Sequence, residues 1–154
     1  MSRHYYEDYA VGDLTRSEPF RIGEAQVRAY LAIVGDDHAA HNDRAFCWRE
    51  FGRPDLVVPG MLTLAFADSL WARLVTPSKP FSPHYGHDRI RYLNPLFTDE
   101  EIYCTYELKE KKERDERYGA LFFETYVRKT DDTPVIFETD IVLVRFRNSL
   151  EERS

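Results

Sequence analysis

The sequence predicts an α+β fold in which an antiparallel sheet wraps around one long central helix. The segment "PGMLTLAFADSLWARLV", which starts at Pro59, is apolar on nearly every side, as is typical of a buried helix. Four later segments alternate apolar with polar residues and are rich in β-branched and aromatic side chains, which is the pattern of strands. Long strands with one apolar helix to cover favour a sheet curled around that helix.

Length and composition limit the possible architectures. With 154 residues, 43% of them hydrophobic, we expect a single domain spanning residues 1–154. The net charge of −6 disfavours binding to nucleic acid or to anionic membranes. The sequence has neither an apolar run of the roughly 20 residues that span a bilayer nor an apolar signal region, so we expect a cytoplasmic protein. Cys47 and Cys104 share no metal-binding spacing and are expected to be small core residues.

The N-terminal half is expected to be mostly helical. The segment "DLTRSEPFRI" is a short candidate strand, and "GEAQVRAYLAIVG" follows it as an amphipathic helix that Gly35 ends. The apolar face of this helix is predicted to consist of Val27, Tyr30, Leu31 and Val34. Such a face indicates that the helix lies on another layer of the protein.

Asp68 is conspicuous within the apolar helix that starts at Pro59, because burying an unpaired carboxylate is costly. Two structural explanations are open: the side chain faces water, or it pairs with nearby Arg73. A role beside the substrate is the third.

The C-terminal half is predicted to be strands. A proline-containing loop from Thr76 to Gly86 precedes them. The strand segments are "GHDRIRYLNP", "EIYCTYELKEK", "RYGALFFETYVRK" and "TPVIFETDIVLVRF". Short polar turns join them, so consecutive strands are expected to be antiparallel neighbours. Several strands are apolar on both faces, which predicts contact with another sheet or with a second subunit, and a homodimer is the simplest expectation.

The stretch "GDDHAAHND", from Gly35 to Asp43, is the first candidate site. Asp36 and His41 are five positions apart, and a loop that folds back can point both side chains at one spot, where they could hold and deprotonate a water. Two other interpretations stay open from the spacing alone. The stretch could be an ordinary polar turn, or its Asp37, His38, His41 and Asp43 could bind a metal, although no recognised zinc motif accompanies them.

The start of the apolar helix is the second candidate site. A glycine at a helix N-terminus leaves a backbone N–H free, and together with the helix dipole it can stabilise a carbonyl oxygen that gains negative charge. Pro-Gly is also a common way to start a helix. Gly60 is therefore an oxyanion candidate only if an acid–base pair lies nearby.

Four segments in order carry a resemblance to a known family: "YYEDYAVGD", "GDDHAAHND", "FGRPDLVVPGML" and "DRIRYLNPLF". Together they resemble the MaoC-like dehydratases, hotdog-fold proteins that include the (R)-specific enoyl-CoA hydratases. The resemblance implies a hotdog fold, a homodimer with a continuous sheet, and an active site near the subunit boundary.

The resemblance also assigns roles. It implies that Asp36 and His41 activate water and that Gly60, between Pro59 and Met61, donates its N–H to a thioester carbonyl. Asp43 matches an aspartate of the family motif and is interpreted as structural support.

The sequence departs from the family pattern at three places. His38, Ala39 and Ala40 replace asparagine, proline and an aliphatic residue, and Pro59 replaces a histidine. A serine of some members aligns near Asp68 and Ser69. These departures bear on which substrate is bound more than on which class of reaction is catalysed. His38 is expected to line the substrate site or extend the proton relay.

The implied activity is reversible hydration of a trans-2-enoyl thioester to the (R)-3-hydroxyacyl thioester, with branched or dicarboxylic acyl groups of the mesaconyl or itaconyl type as one expected class. The expected partner is an acyl-CoA or an acyl-carrier-protein thioester, and no metal or other cofactor is expected. Cations for the coenzyme A phosphates would come from Arg53, Arg73, Lys79, Arg89 or Arg91. An acyl-thioester hydrolase and a non-catalytic acyl-thioester-binding subunit are the alternatives.

Overall fold

A computed structural model describes residues 3–76 and 80–149. The helices are α1 (Glu24–Val34), α2 (Ala39–Asn42), α3 (Arg44–Phe51) and α4 (Gly60–Leu74), and a 3₁₀ turn covers Tyr6–Asp8. The strands are β1 (Leu14–Arg16), β2 (Phe20–Arg21), β3 (His84–Tyr92), β4 (Glu101–Glu113), β5 (Tyr118–Lys129) and β6 (Pro134–Arg145). The predicted α+β architecture is confirmed.

The six strands form one antiparallel sheet in the order β1-β4-β5-β6-β3, with β2 also pairing with β4. The expectation that β3 and β4 are neighbours is wrong, because β3 pairs with β6 at the opposite edge. The segment between β3 and β4 is not a tight turn. Its backbone forms hydrogen bonds with residues 56–58, from Val58 N–H to Leu96 O and from Thr98 N–H to Leu56 O. The segment connects β3 at one edge of the sheet with β4 near the other.

Helix α4 packs against the concave face of the sheet. Its buried side includes Leu64, Ala67 and Trp71, and the Tyr106 hydroxyl donates a hydrogen bond to Ala67 O. The opposite side is not buried as the sequence suggested, since Met61 is 56% exposed. The helix therefore has one core-facing side and one open side at its N-terminal end.

Helix α1 ends as predicted at Gly35, whose φ of 72° is left-handed and suits glycine. Val27 and Leu31 are buried on its apolar face, but Val34 is 51% exposed and is not part of that face. The two short helices α2 and α3 were not identified from the sequence. Cys47 and Cys104 are both fully buried and unpaired, as expected.

Within residues 3–76 and 80–149, no helix is both long enough and apolar enough to span a lipid bilayer. The longest, α4, has 15 residues.

Candidate active site

The loop after α1 folds back on itself and brings Asp36 close to His41. The Asp36 Oδ1 atom accepts the backbone N–H of His38 at 2.9 Å, which makes a tight polar turn. His38 Nδ1 then accepts the Ala40 N–H and caps α2, so that His41 falls on the last turn of this short helix. The local hydrogen bonds of the stretch therefore build the turn that the proposed acid–base pair needs.

The tautomer of His41 follows from its partner. His41 Nδ1 lies 2.7 Å from the carbonyl oxygen of Val57, and a carbonyl can only accept, so Nδ1 carries the proton. The neutral ring then has its lone pair on Nε2. Nε2 lies 3.9 Å from Asp36 Oδ2, which is beyond direct hydrogen-bond range and close enough for both atoms to contact one water.

His41 and Gly60 line the same pocket, which has a volume of about 360 Å³. Its walls are mainly apolar and come from residues 57–58 and from the segment after β3. Asp36 lines a neighbouring, more open cavity together with Arg28 and Asn42. Each member of the pair thus lines a different cavity, His41 the apolar one and Asp36 the more open one.

The N-terminus of α4 opens into the apolar pocket. The first N–H groups of any α-helix have no intrahelical acceptor, and Gly60 and Met61 are the first two residues of this helix. Pro59 precedes them as the cap, and its carbonyl accepts the Thr63 N–H at 3.0 Å. The helix dipole adds partial positive charge at the same place.

Tyr92, at the end of β3, covers this helix N-terminus and was missed in the sequence. A Cβ atom on Gly60 would lie 2.5 Å from Tyr92 Cε1, so the ring packs directly on the glycine. The Tyr92 hydroxyl also lies 2.9 Å from Met61 Sδ. Burial, with help from Glu138, raises the pKa of Tyr92. A tyrosine followed by "LNP" gives no sequence signal for this contact.

The other polar residues of the loop have separate positions. Asp43 caps α3, because its Oδ1 accepts the N–H groups of Ala45 and Phe46. The His38 ring packs 5.7 Å from the His41 ring, centre to centre, and is not a lining residue of the apolar pocket. Asp37 is exposed beside Asp36.

The cation candidates for a coenzyme are spread out. Arg53 is held by Asp55 at 2.9 Å and by Glu100 at 2.8 Å, so its charge is already balanced. Arg73, Arg89 and Arg91 are exposed. Lys79 lies outside the described residues.

A second polar cluster lies under α4, and it corrects the expectation for Asp68. Arg73 donates to the carbonyl of Ser69, whereas Asp68 Oδ2 lies 3.4 Å from His87 Nε2. The other nitrogen of the same ring lies 2.8 Å from Glu138 Oε2 and 3.1 Å from Asp140 Oδ1. One imidazole therefore contacts three carboxylates.

The residues of this cluster shift one another's pKa values. The contact with Asp140, assisted by Asp68 and Glu138, outweighs burial and raises the pKa of His87 to about 9. Burial is the main cause that raises the pKa of Glu138, and the charges of Asp140 and Asp68 act in the same direction. Burial also raises the pKa of Asp68.

A sequence signal for this cluster exists in β6. Glu138 and Asp140 are two positions apart, so they share a face of the strand with Ile136 and Val142, which are buried. Two acidic residues in a buried row are exceptional. The pattern alone does not say which residue would meet them.

Comparison with known proteins gives one family. Residues 10–125 match the family model described as MaoC like domain. No curated protein matches the chain in sequence. The match covers the Asp36–His41 loop, α4 and most of the sheet, but not β6.

Solved structures share the fold. The chain is similar to the monoamine oxidase regulatory protein from Archaeoglobus fulgius, with 24% identity and a TM-score of 0.81 over 95% of this chain and 98% of that one. It is similar to the MaoC-like dehydratase from Rhodospirillum rubrum, with 20% identity and a TM-score of 0.80 over 93% and 97%. It is also similar to the (R)-hydratase from A. caviae involved in PHA biosynthesis, with 23% identity and a TM-score of 0.74 over 88% and 97%. The hotdog fold expected from the sequence is thereby confirmed.

Proposed function

The chain belongs to the MaoC-like domain family, and on that premise we propose that it catalyses the reversible hydration of an enoyl thioester. The substrate would be a trans-2-enoyl-CoA or the corresponding carrier-protein thioester, and the product an (R)-3-hydroxyacyl thioester. The observation that carries the proposal is the position of His41, which lines the same pocket as the N-terminus of α4 and keeps its Nε2 lone pair available beside Asp36.

His41 would act as the general base. A water between His41 Nε2 and Asp36 Oδ2 loses a proton to the imidazole, and its oxygen adds to the β-carbon. The carbonyl of Val57 stabilises the imidazolium that forms, because it accepts the Nδ1 proton. The same imidazolium returns its proton to the α-carbon, so that one water is added in total.

The N-terminus of α4 would stabilise the intermediate. Addition at the β-carbon places negative charge on the thioester oxygen. The Gly60 N–H would donate a hydrogen bond to this oxygen, and the helix dipole would stabilise its charge. The apolar walls favour this by excluding water from around the developing charge. Tyr92 would close the pocket on this side, since it packs on Gly60.

Turnover with defined substrates tests the proposal. We expect loss of the enoyl absorbance with crotonyl-CoA, with mesaconyl-CoA as a branched dicarboxylic comparison, and incorporation of one labelled oxygen from heavy-oxygen water into the product. Release of free thiol without loss of the enoyl group would favour a thioester hydrolase instead. Thermal stabilisation by acyl-CoA without any product would favour a non-catalytic binding subunit.

The proposal includes a homodimer in which residues 1–154 act as one domain in each subunit. What supports it is the free edge of β3, since an unpaired edge strand favours pairing with another chain. Light scattering of the purified protein tests this, and a monomer at micromolar concentration would contradict it.

A further inference from the structure

We propose that Asp68, His87, Glu138 and Asp140 bind a divalent transition-metal ion, such as Zn²⁺, beneath α4. The candidate site is called the inner cluster below. Each of the four residues offers one ligand atom, and these atoms all lie within 4.8 Å of one another. The inner cluster is separate from the proposed hydratase site, because Asp68 follows Gly60 by eight residues, or about 12 Å along the helix.

The burial of Glu138 is the observation that points to a ligand. Its side chain is fully buried, and neither of its carboxylate oxygens has a hydrogen-bond partner among the residues that the structure describes. Asp140 Oδ1 and Asp68 Oδ1 are also buried atoms without a hydrogen-bond partner among the described residues. A carboxylate that loses its water without gaining a donor is strongly destabilised, so these oxygens require a proton or a cation.

His87 does not satisfy these carboxylate oxygens by hydrogen bonding. Its Nδ1 lies 2.8 Å from Glu138 Oε2, but the N–H direction of the ring does not fit a hydrogen bond to Glu138 or Asp140. Over residues 3–76 and 80–149, the cationic groups within 4.0 Å of the three carboxylates are the imidazoles of His84 and His87. Three carboxylates thus face two imidazole rings, and this concentration of negative charge attracts a cation.

The distances suit a metal centre. Zinc bonds to imidazole nitrogen and carboxylate oxygen are about 2.0–2.2 Å long, so neighbouring ligand atoms on one ion are about 3 to 4 Å apart. His87 Nδ1 lies 2.8 Å from Glu138 Oε2 and 3.1 Å from Asp140 Oδ1, and one ligand atom from each of the four residues, Asp68 included, lies within 4.8 Å of the others. Mixed nitrogen and oxygen donors suit Zn²⁺, Mn²⁺ and Fe²⁺ better than Mg²⁺ or Ca²⁺, which prefer oxygen alone.

The surroundings orient the ligands. Thr125 Oγ1 donates to Asp140 Oδ2, which leaves Oδ1 directed at the cluster. The His84 ring lies against His87 and Trp71, with Nε2 at 3.7 Å from Asp140 Oδ1, and its side chain is 32% exposed. His84 therefore offers a further ligand, and its exposed side is an entry path for the ion.

A bulge in β3 between His84 and Gly86 places both histidines on the inner face. His84 pairs with Val142 and Gly86 with Ile141, so two steps along β3 match one step along β6. Without this bulge, residues three apart would point to opposite faces of the sheet. The bulge instead re-aims His87 so that it lies opposite Asp140 and faces α4.

Metal binding can be measured directly on the untagged full-length protein. After treatment with EDTA, we expect it to bind one equivalent of Zn²⁺ or Co²⁺ by equilibrium dialysis and to develop the visible absorption of protein-bound Co²⁺. Mg²⁺ and Ca²⁺ at the same concentration should bind far more weakly. Absence of stoichiometric Zn²⁺ and Co²⁺ binding by the folded protein would overturn the proposal, and would mean that protons neutralise the carboxylates.

Variants identify the site. His87→Gln and Glu138→Gln should each weaken Co²⁺ binding by at least about tenfold, the lower end of the effect of losing even an outer partner of a ligand. Asp88→Asn is the matched control, because this exposed carboxylate is the next residue along β3. His41→Gln is the control for the loop site. Unchanged Co²⁺ binding in the inner-cluster variants, or loss of it in His41→Gln, would contradict the assignment.

Crystals of the wild-type protein grown with Zn²⁺ provide a readout that does not depend on variants folding. An anomalous difference peak enclosed by Asp68, His87, Glu138 and Asp140 is the expected result. A peak confined to the surface or to the loop from Gly35 to Asp43 would overturn the proposal.

Discussion

The protein contains two sites in which imidazole meets carboxylate, and they differ in how the chain builds them. Asp36 and His41 come from one loop of consecutive residues, and the Asp36 side chain is 34% exposed. The inner cluster comes from α4, β3 and β6, and its Glu138 and Asp140 are fully buried. The same two chemical groups therefore work in surroundings of very different polarity.

Because of this difference in surroundings, we expect the loop pair to affect catalysis and the inner cluster to affect stability. In the loop, water can reach the gap of 3.9 Å between His41 and Asp36, so the pair can exchange protons with a substrate at little cost to the fold. In the inner cluster, each charge that is not balanced destabilises the folded state directly. Substitutions at the first site should change activity most, and substitutions at the second should change stability most.

The largest expected effect is on catalysis at the loop. Asp36→Asn keeps the shape of the side chain but removes the charge that holds the attacking water, so kcat should fall by about 100- to 10,000-fold, the range for general acid–base groups. The rate of enoyl-CoA hydration measures this. Asp37→Asn, at the exposed neighbouring position, should stay within about twofold of the wild type. Equal losses in the two variants would show that general negative potential, rather than Asp36 itself, promotes the reaction.

The same substitution at both sites tests the contrast in stability. His87→Gln removes the imidazole that contacts the buried Glu138 and Asp140 as well as the half-buried Asp68. It should lower the free energy of unfolding by about 3 kcal/mol, the lower end for a broken buried ion pair, because the His87 side chain is 20% exposed. His41→Gln should cost about 1 kcal/mol, mainly through its hydrogen bond to Val57. Urea unfolding in EDTA measures both. Equal costs would mean that burial does not distinguish the sites.

The two sites also differ in how far the sequence reveals them. Asp36 and His41 could be proposed as a pair because a helix stop and a polar turn bring them within seven residues, and because the family resemblance singles them out. The apolar helix and the strands were predicted for the same reason, since hydrophobic periodicity is a local property. What was wrong followed from long-range pairing, as with the placement of β3 next to β4.

The inner cluster could not be assembled from the sequence because it depends on strand order and on a bulge. His84 and His87 are an odd number of residues apart, and a regular strand would separate them. They meet Glu138 and Asp140 only because β3 crosses to pair with β6. The Tyr92 contact with Gly60 depends on the same crossing. The acidic pair in the buried row of β6 was the available local signal.

A third prediction concerns the place where α4 meets β3, between the two sites. Gly60→Ala would put its Cβ 2.5 Å from Tyr92 Cε1, so the tyrosine must move, at a cost of about 1 to 3 kcal/mol in stability and with a raised KM for the enoyl thioester. The double variant with Tyr92→Ala should recover most of both losses, because the clash is removed. Unfolding and steady-state kinetics measure the cycle. Additive losses would show that the alanine acts on the backbone N–H rather than through Tyr92.

The smallest expected effect concerns Asp43, which supports the loop but is not part of the proposed catalytic pair. Asp43 accepts two N–H groups at the start of α3, so Asp43→Ala should lower the free energy of unfolding by about 1 kcal/mol, the usual cost of a lost N-cap. Asp37→Ala is the matched control and should cost less. Because Asp43 points at α3 rather than at the pocket, kcat should stay within about twofold of the wild type. A loss in kcat of tenfold or more at unchanged stability would mean that this aspartate takes part in proton transfer, and that the loop carries two functional carboxylates instead of one.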